Sequence, residues 1–199
     1  MNTFSYKSDL NGGSLMVRES RIVADLLLKK ATENEWKQRI QDNNELQKRT
    51  TSTAKRYSKA IRSRLERLEP EFWQALRDGD EELATQVCFV SVLERNLLLL
   101  EFMERVVKDA YNAHLNALKP YQWLDFLDEC GNKDPNIMSW KASTKQKMGT
   151  VVFRILSEAD YLECARSKKL QNVLIRPELK DMLENTFRKR LLASMDIRL

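Results

Sequence analysis

The chain has 199 residues, 42% apolar and 32% charged, which fits one globular unit or two small ones with an ordinary core and excludes a disordered tail. Lys and Arg outnumber Asp and Glu by 34 to 29. The stretch from Arg49 to Arg67, with Lys55, Arg56, Lys59, Arg62 and Arg64 against the single acid Glu66, accounts for that whole excess, so the basic character is local. Cys88, Cys130 and Cys164 are odd in number, far apart and never in Cys-x-x-Cys spacing. They indicate neither a disulfide framework nor a zinc knuckle and fit a reducing cytosol. The opening MNTFSYKSDLNGG does not read as a secretory signal. The most apolar run, NLLLLEFM, meets Glu101 long before the roughly 20 residues a membrane span needs. A cytoplasmic, soluble protein without a membrane span is expected.

Five glycines and four prolines in long stretches of Leu, Glu, Lys and Arg favour helix almost throughout. After Gly12-Gly13, Ser14 is placed to cap the helix LMVRESRIVADLLLKK, which is apolar around most of its circumference apart from a stripe of Arg18, Arg21, Asp25 and Lys29. Thr32 with Glu35 forms a capping box that starts a second helix through Trp36 and Ile40. The polar QKRTTST leads into a basic helix with Thr53 as N-cap and Pro70 as stop signal. Pro70 also suits the first turn of EFWQALRD, which Gly79 ends. Asp80 caps a long helical run reaching NALK, with a break expected near Arg95-Asn96.

Pro120 opens YQWLDFLDEC, and the loop CGNKDPN follows. Thr144 is placed to cap KQKMGTVVFRILSEA. YLECA and LQNVLI are short β-capable runs separated by RSKK, and Pro177 opens a final helix to about Ala193. A hairpin over 161–175 with RSKK at a wing tip fits these runs, as do a loop and a helix extension. The pattern predicts a mainly α protein, a compact multi-helix bundle over 1–199, divisible into a bundle over 1–119 and a smaller helical or winged part over 120–199.

At about 100° per residue, Lys59, Arg62 and Glu66 fall within about 40° of Lys55, with Arg56 and Arg67 at about 100 to 120°, while Tyr57, Ile61, Leu65 and Leu68 gather opposite. A phosphate backbone needs several long cations presented together, because each neutralised phosphate releases counterions. The face also lacks the i, i+4 glutamates that usually accompany Lys and Arg on a solvated helix. A merely solvated face accounts for the same residues, and charge alone leaves both readings open. Lys145 and Lys147 stand at a helix start, where backbone N–H groups favour an anion, and Lys168 and Lys169 sit in RSKK; together they form a second candidate patch. An ordinary exposed turn explains them equally. Glu19 falls among apolar residues, so a structural ion pair with a cation such as Arg95 is expected. His114 is expected on a helix side with no special role. No phosphate loop, nucleophile elbow, dinucleotide turn or metal-ligand spacing occurs, which argues against an enzyme.

The segments GGSLMVRESRIVADLLL, RSRLERL, LLEFMERVVKDAY and STKQKMGTVVFRILSEADYL, in that order, resemble the BrxA family of bacterial BREX phage-exclusion systems over nearly the whole chain. The most specific elements are Arg18-Glu19-Ser20 ahead of the apolar helix and Thr144 with Lys147 ahead of VVFRIL. Neither is a catalytic signature. The resemblance implies a small, non-enzymatic, NusB-like helical component of a multi-gene defence island, associated with DNA binding. It supplies no residue-level site. The expectation is therefore an accessory protein that binds double-stranded DNA through phosphates, using Lys55, Arg56, Lys59 and Arg62 and a second patch of Lys145, Lys147, Lys168 and Lys169, alongside other BREX subunits and without cofactor, metal or small-molecule substrate. The rival expectations are an adaptor docking other defence subunits and an RNA-binding protein.

Overall fold

With so few breakers, helix ends must be set by caps and by left-handed residues other than glycine, and the computed structural model bears this out. It describes residues 5–8, 10 and 13–197, so the turn signal at Gly12 lies outside the described residues. The fold is mainly helical, with no strand among the described residues. Its contacts gather into two compact units, one over Leu15–Arg95 with Arg176–Met182, the other over Asn96–Ile175 with 183–197 and the segment around Tyr6.

In the first unit, α1 (Val17–Leu28) begins after Met16, which turns left-handed at φ 59°. Ser14 is therefore not its cap; Leu15 and Met16 are both buried, and the turn that seats them fixes the helix start instead. Thr32 and Glu35 form the expected reciprocal capping box of α2 (Glu33–Lys37). The helix then widens through a π turn, Gln38–Asp42, closed by Asn43 N–H donating to the Gln38 carbonyl at 2.8 Å. In α3 (Thr51–Leu65) the cap is Thr50 rather than Thr53, because the Thr50 hydroxyl accepts from the Thr53 N–H at 3.2 Å. Ala54, Ser58, Ile61 and Leu65 form its buried line. Pro70 opens α4 (Pro70–Asp78), and Asp80 caps α5 (Glu81–Arg95) through the Leu83 N–H at 2.9 Å. Both follow the sequence signals. Helix α1 packs against α3, α4 and α5, and α5 is buried nearly all round.

The long run breaks at Asn96, as expected, whose side chain caps α6 (Leu97–Phe102) through the Leu99 N–H at 3.0 Å. This helix passes through a second π turn, Met103–Val107, into α7 (Lys108–Asn112). It stops earlier than NALK because His114, placed on a helix side by the sequence, adopts φ 51° and ends it: its N–H reaches the Tyr111 carbonyl and that of Leu115 the Ala110 carbonyl, both at 2.9 Å. Lys30 has positive φ at the end of α1, and Asp160 and Phe187 do the same at the ends of two later helices. Helix α8 (Pro120–Gly131) is followed by a 3₁₀ turn, Pro135–Ser139, where a plain loop was expected; Asp134 caps it and also accepts from the Tyr6 N–H at 2.7 Å.

Helix α9 (Ala142–Glu158) starts after Lys141, so Thr144 lies inside its first turn and is not its cap. The hairpin over 161–175 is reduced to isolated antiparallel bridges, Leu162 with Leu170 and Ala117 with Lys169, closed by a turn in which Lys168 N–H meets the Cys164 carbonyl at 2.9 Å. The pairing is shared with the 116–118 segment, so neither run extends into a strand. The single final helix is instead two, α10 (Pro177–Asn185) and α11 (Lys189–Met195), split where Phe187 turns to φ 58°. No single helix among the described residues is long and apolar enough to cross a membrane; only the two flanking Asn96 reach that mark when taken together.

The second unit is held by an aromatic core. Phe102 meets Trp123, Phe126 and Phe153 edge-to-face at centroid distances of 5.2, 5.4 and 6.4 Å. Trp123 donates its indole N–H to the Lys145 carbonyl at 2.9 Å, which presses α8 onto α9 at Gly149. A Cβ at Gly149 would lie 2.6 Å from Trp123 Cδ1. Gly149→Ala gains up to about 1 kcal/mol of helix propensity but overpacks a fixed indole at a cost of about 1–3 kcal/mol. A net loss of stability in urea denaturation is expected, and a gain would contradict this packing.

Candidate nucleic-acid interface

The surface around the basic helix is positioned by polar residues of α1. Glu19 is buried, and its carboxylate accepts from Lys48 Nζ at 2.7 Å, with Arg18 at 3.4 Å. Arg18 also donates to the Leu46 carbonyl at 2.9 Å. These contacts tie the segment leading into α3 to α1. The sequence pointed to a structural cation such as Arg95 for Glu19; the ion pairs are made instead by Lys48 and Arg18. Asp25 accepts from Arg39, in the π turn, at 2.6 Å and from Lys29 at 2.9 Å, with Arg77 of α4 at 3.6 Å. Arg21 donates to the carbonyls of Arg77, Gly79 and Asp80 at 2.8 to 3.0 Å, satisfying the C-terminal end of α4.

On this base, α3 turns Lys55, Arg56 and Lys59 outward. Among the described residues none of the three makes an ion pair within 4 Å; Arg56 lies 5.6 Å from the Tyr57 ring centroid. Arg62 behaves differently. It pairs with Glu66, four residues on, at 2.7 Å, so the face does carry one i, i+4 glutamate, and with Glu33 at 3.2 Å, and it stacks 4.6 Å from the Trp36 ring centroid, bracing α3 against α2. The Glu66 and Glu33 carboxylates hold its guanidinium pKa above the ordinary value. Lys55, Lys59 and Arg62 line one side of a groove of about 460 Å³, and Trp36, Lys37, Ile40 and Gln41 line the other. Lys37 is exposed across that groove from α3. Sequence reasoning missed it, although the capping box already placed it on α2; no signal announced the π turn that shapes this wall.

The second patch is less uniform. Lys145 Nζ pairs with Asp128 at 3.2 Å, and its side chain is only 14% exposed. Its N–H donates to the Lys141 carbonyl at 3.1 Å, so it is not one of the open N–H groups of the α9 start. Lys169 pairs with Glu163 at 3.6 Å. Lys168 donates to the Arg166 carbonyl at 3.2 Å and lies 5.4 Å from the Phe153 ring centroid. Lys147 is exposed beside Thr144 and Thr150 and makes no ion pair among the described residues.

Fold and surface define a class: a helical protein, over its described residues, that carries a cation-rimmed groove on one of its two units. The chain belongs to the BrxA family, whose model matches residues 5–186. It is 39% identical over 178 residues to a BREX protein BrxA from Paramagnetospirillum magneticum (strain ATCC 700264 / AMB-1), covering 89% of each chain. It is 32% identical over 195 residues to a BREX protein BrxA from Escherichia coli O9:H4 (strain HS), covering 98% of this chain and 92% of that one. A crystal structure of an uncharacterized protein from Magnetospirillum magneticum superposes with a TM-score of 0.87 at 36% identity, covering 96% of this chain and 97% of that one. The protein is thus one of the BrxA proteins of BREX phage-defence systems.

Burial pushes the Glu19 carboxyl up, but the Lys48 hydrogen bond, its own backbone N–H and the charges of Lys48 and Arg18 outweigh it and hold the pKa below the ordinary value. For Asp25, too, burial is outweighed, by Lys29 and Arg39. With both folded values depressed, the unfolded chain binds more protons in the intervening range, so stability rises with pH there. The contribution is fully present above the unfolded carboxyl pKa and is lost as pH falls through the folded one. Lys48→Met leaves a buried carboxylate short of its principal cation and should cost about 1–3 kcal/mol at pH ~7. That deficit should narrow in denaturation curves taken at pH ~3; a variant as stable as the parent at both would contradict the pairing.

Proposed function

We propose that this protein is a cytoplasmic, non-enzymatic accessory component of its BREX system that binds double-stranded DNA mainly through phosphates. The observation that carries the reading is the row of Lys55, Arg56 and Lys59, exposed on one rigidly backed helix face with no carboxylate paired to any of them among the described residues. Exposed and carried on a helix whose opposite side is buried, such cations are ready to replace the counterions of a polyanion. Arg62 serves this site as the brace of the groove, and Lys37 adds charge from the opposite wall. Lys147, Lys168 and Lys169 form the second contact region of the same reading, with Lys145 supporting the α9 start. The three unpaired cysteines fit a reducing compartment, and other BREX subunits are the expected protein partners.

Because phosphate contacts carry no sequence code, affinity should vary little with sequence. With three to four cations engaged, log K should fall against log salt with a slope of about −3. The combined variant Lys55→Glu, Arg56→Glu, Lys59→Glu touches no core residue and should fold normally. It should weaken duplex binding at least about tenfold in an anisotropy titration at fixed salt. Unchanged affinity would contradict the site. Unchanged DNA binding together with loss of a co-purifying BREX subunit would favour the adaptor reading, and a preference for single-stranded RNA in competition would favour the RNA reading.

A further inference from the structure

Phe187 is 87% exposed and stands in a left-handed turn at φ 58° between α10 and α11. Both properties are unfavourable. A bulky side chain rarely enters that region of backbone space, and a glycine or asparagine would end α10 without exposing an aromatic ring. The turn is nevertheless firmly made. Phe187 N–H donates to the Glu184 carbonyl at 3.1 Å and Arg188 N–H to the Leu183 carbonyl at 2.8 Å. Two hydrogen bonds of 2.7 Å from Arg190 to Glu104 then pin the start of α11 to the π turn Met103–Val107. Two residues past the ring, Lys189 is exposed and makes no ion pair among the described residues. The result is a held tip that presents one aromatic ring and one ammonium group.

The same unit carries a groove of about 380 Å³ between this π turn with α7 on one side and α8 on the other. Ala110 and Phe126 close its base and are buried, so the apolar surface left open comes from Val106, Ala113 and Leu115, the last 41% exposed. Asp109 of α7 and Asp125 of α8 stand exposed on the two walls, neither in an ion pair among the described residues. Arg105, the one cation lining the groove, is already engaged by Glu129 and, at 3.8 Å, by Glu101. An uncompensated negative rim therefore surrounds an apolar floor. Phe187 does not line this groove and is itself exposed, so the chain's own ring does not fill it.

We infer that tip and groove meet between two copies of this chain: the Phe187 ring of one molecule seats against Val106, Ala113 and Leu115 of a second, and Lys189 reaches the Asp109 and Asp125 carboxylates. Each surface supplies what the other lacks, an aromatic anchor for an apolar floor and a cation for two unpaired carboxylates. The α3 ridge is the rival basic element, but it carries no large exposed apolar side chain among the described residues and would leave the floor uncovered. Because tip and groove are different surfaces, the contact is heterologous; it closes as a reciprocal pair or continues head to tail. One ring and one ammonium make a small interface, of the transient class.

The test is sedimentation equilibrium of the full chain, freed of nucleic acid by nuclease so that no polyanion bridges the copies. Average mass should rise with concentration, with a Kd of about 10–100 μM at low salt. Phe187→Ala, and separately the pair Asp109→Lys, Asp125→Lys, should each weaken association about tenfold or more, and Lys189→Glu by less. All four side chains are exposed, so these variants should keep the parent's circular dichroism spectrum. Mixing the Phe187→Ala chain with the Asp109→Lys, Asp125→Lys chain brings one intact tip to one intact groove and should restore pairs that neither forms alone. The variant Lys55→Glu, Arg56→Glu, Lys59→Glu should associate as the parent does, which separates this contact from the duplex-binding reading. A chain that stays monomeric to ~0.5 mM would overturn the inference. So would association unchanged by Phe187→Ala or by the aspartate pair, a mixture no more associated than its parts, or association lost in the α3 variant.

Discussion

A helix that is apolar around most of its circumference can be buried only if its few polar groups find partners, and in the first unit that requirement falls on α1. Four of its side chains meet it: Arg18 and Glu19 through Leu46 and Lys48, Arg21 through the end of α4, and Asp25 through Arg39 of the π turn and Arg77 of α4. Truncating one member leaves the other exposed to the full cost of burial without a partner, which exceeds the modest net value of any single bond. The satisfied network therefore specifies which way the segments on either side of α1 are set. Arg18-Glu19-Ser20, the motif most characteristic of the family resemblance, acts in this structure as a structural clamp, with Ser20 itself buried.

The basic helix inherits its orientation from this arrangement. Ala54, Ser58, Ile61 and Leu65 are buried, so Lys55, Arg56 and Lys59 face outward by helix geometry alone. Arg62 lies on the same ridge by angle yet is engaged by Glu33, Glu66 and the Trp36 face. The ridge thus divides into a row of exposed cations without ion pairs among the described residues and one fixed brace. This division matters electrostatically, because a paired guanidinium adds little field, whereas unpaired ammonium groups on a rigid backing keep theirs.

Much of the fold was legible in the sequence where the signal was local chemistry. The Thr32 and Glu35 capping box, Pro70 and Pro120 at first turns, Asp80 as cap and the break at Asn96 all depend on a few adjacent residues, and each lies where the pattern put it. The misses share a different cause. Met16 and Phe187 adopt left-handed turns that nothing in their side chains favours, and His114 adopts one that its side chain only tolerates better than most. YLECA and LQNVLI have the composition of strands, but their hydrogen bonds are divided between each other and the 116–118 segment. The candidate site was legible as a helix face. Its opposite wall, with Lys37 and Gln41, depends on a π turn, and Lys145 lost its expected role to Asp128, a partner 17 residues away. Tertiary pairing of this kind leaves no periodic trace in the chain.

The central claim is that the outward cations of α3 meet the phosphates of duplex DNA. Lysine acetylation read by mass spectrometry, with and without a saturating duplex, tests it most directly, since Lys55 and Lys59 are exposed and make no ion pair among the described residues. Strong protection of Lys55, Lys59 and Lys37, with Lys108, exposed on α7, still reactive, is the predicted result. Duplex binding that leaves Lys55 and Lys59 as reactive as in the free protein would contradict it.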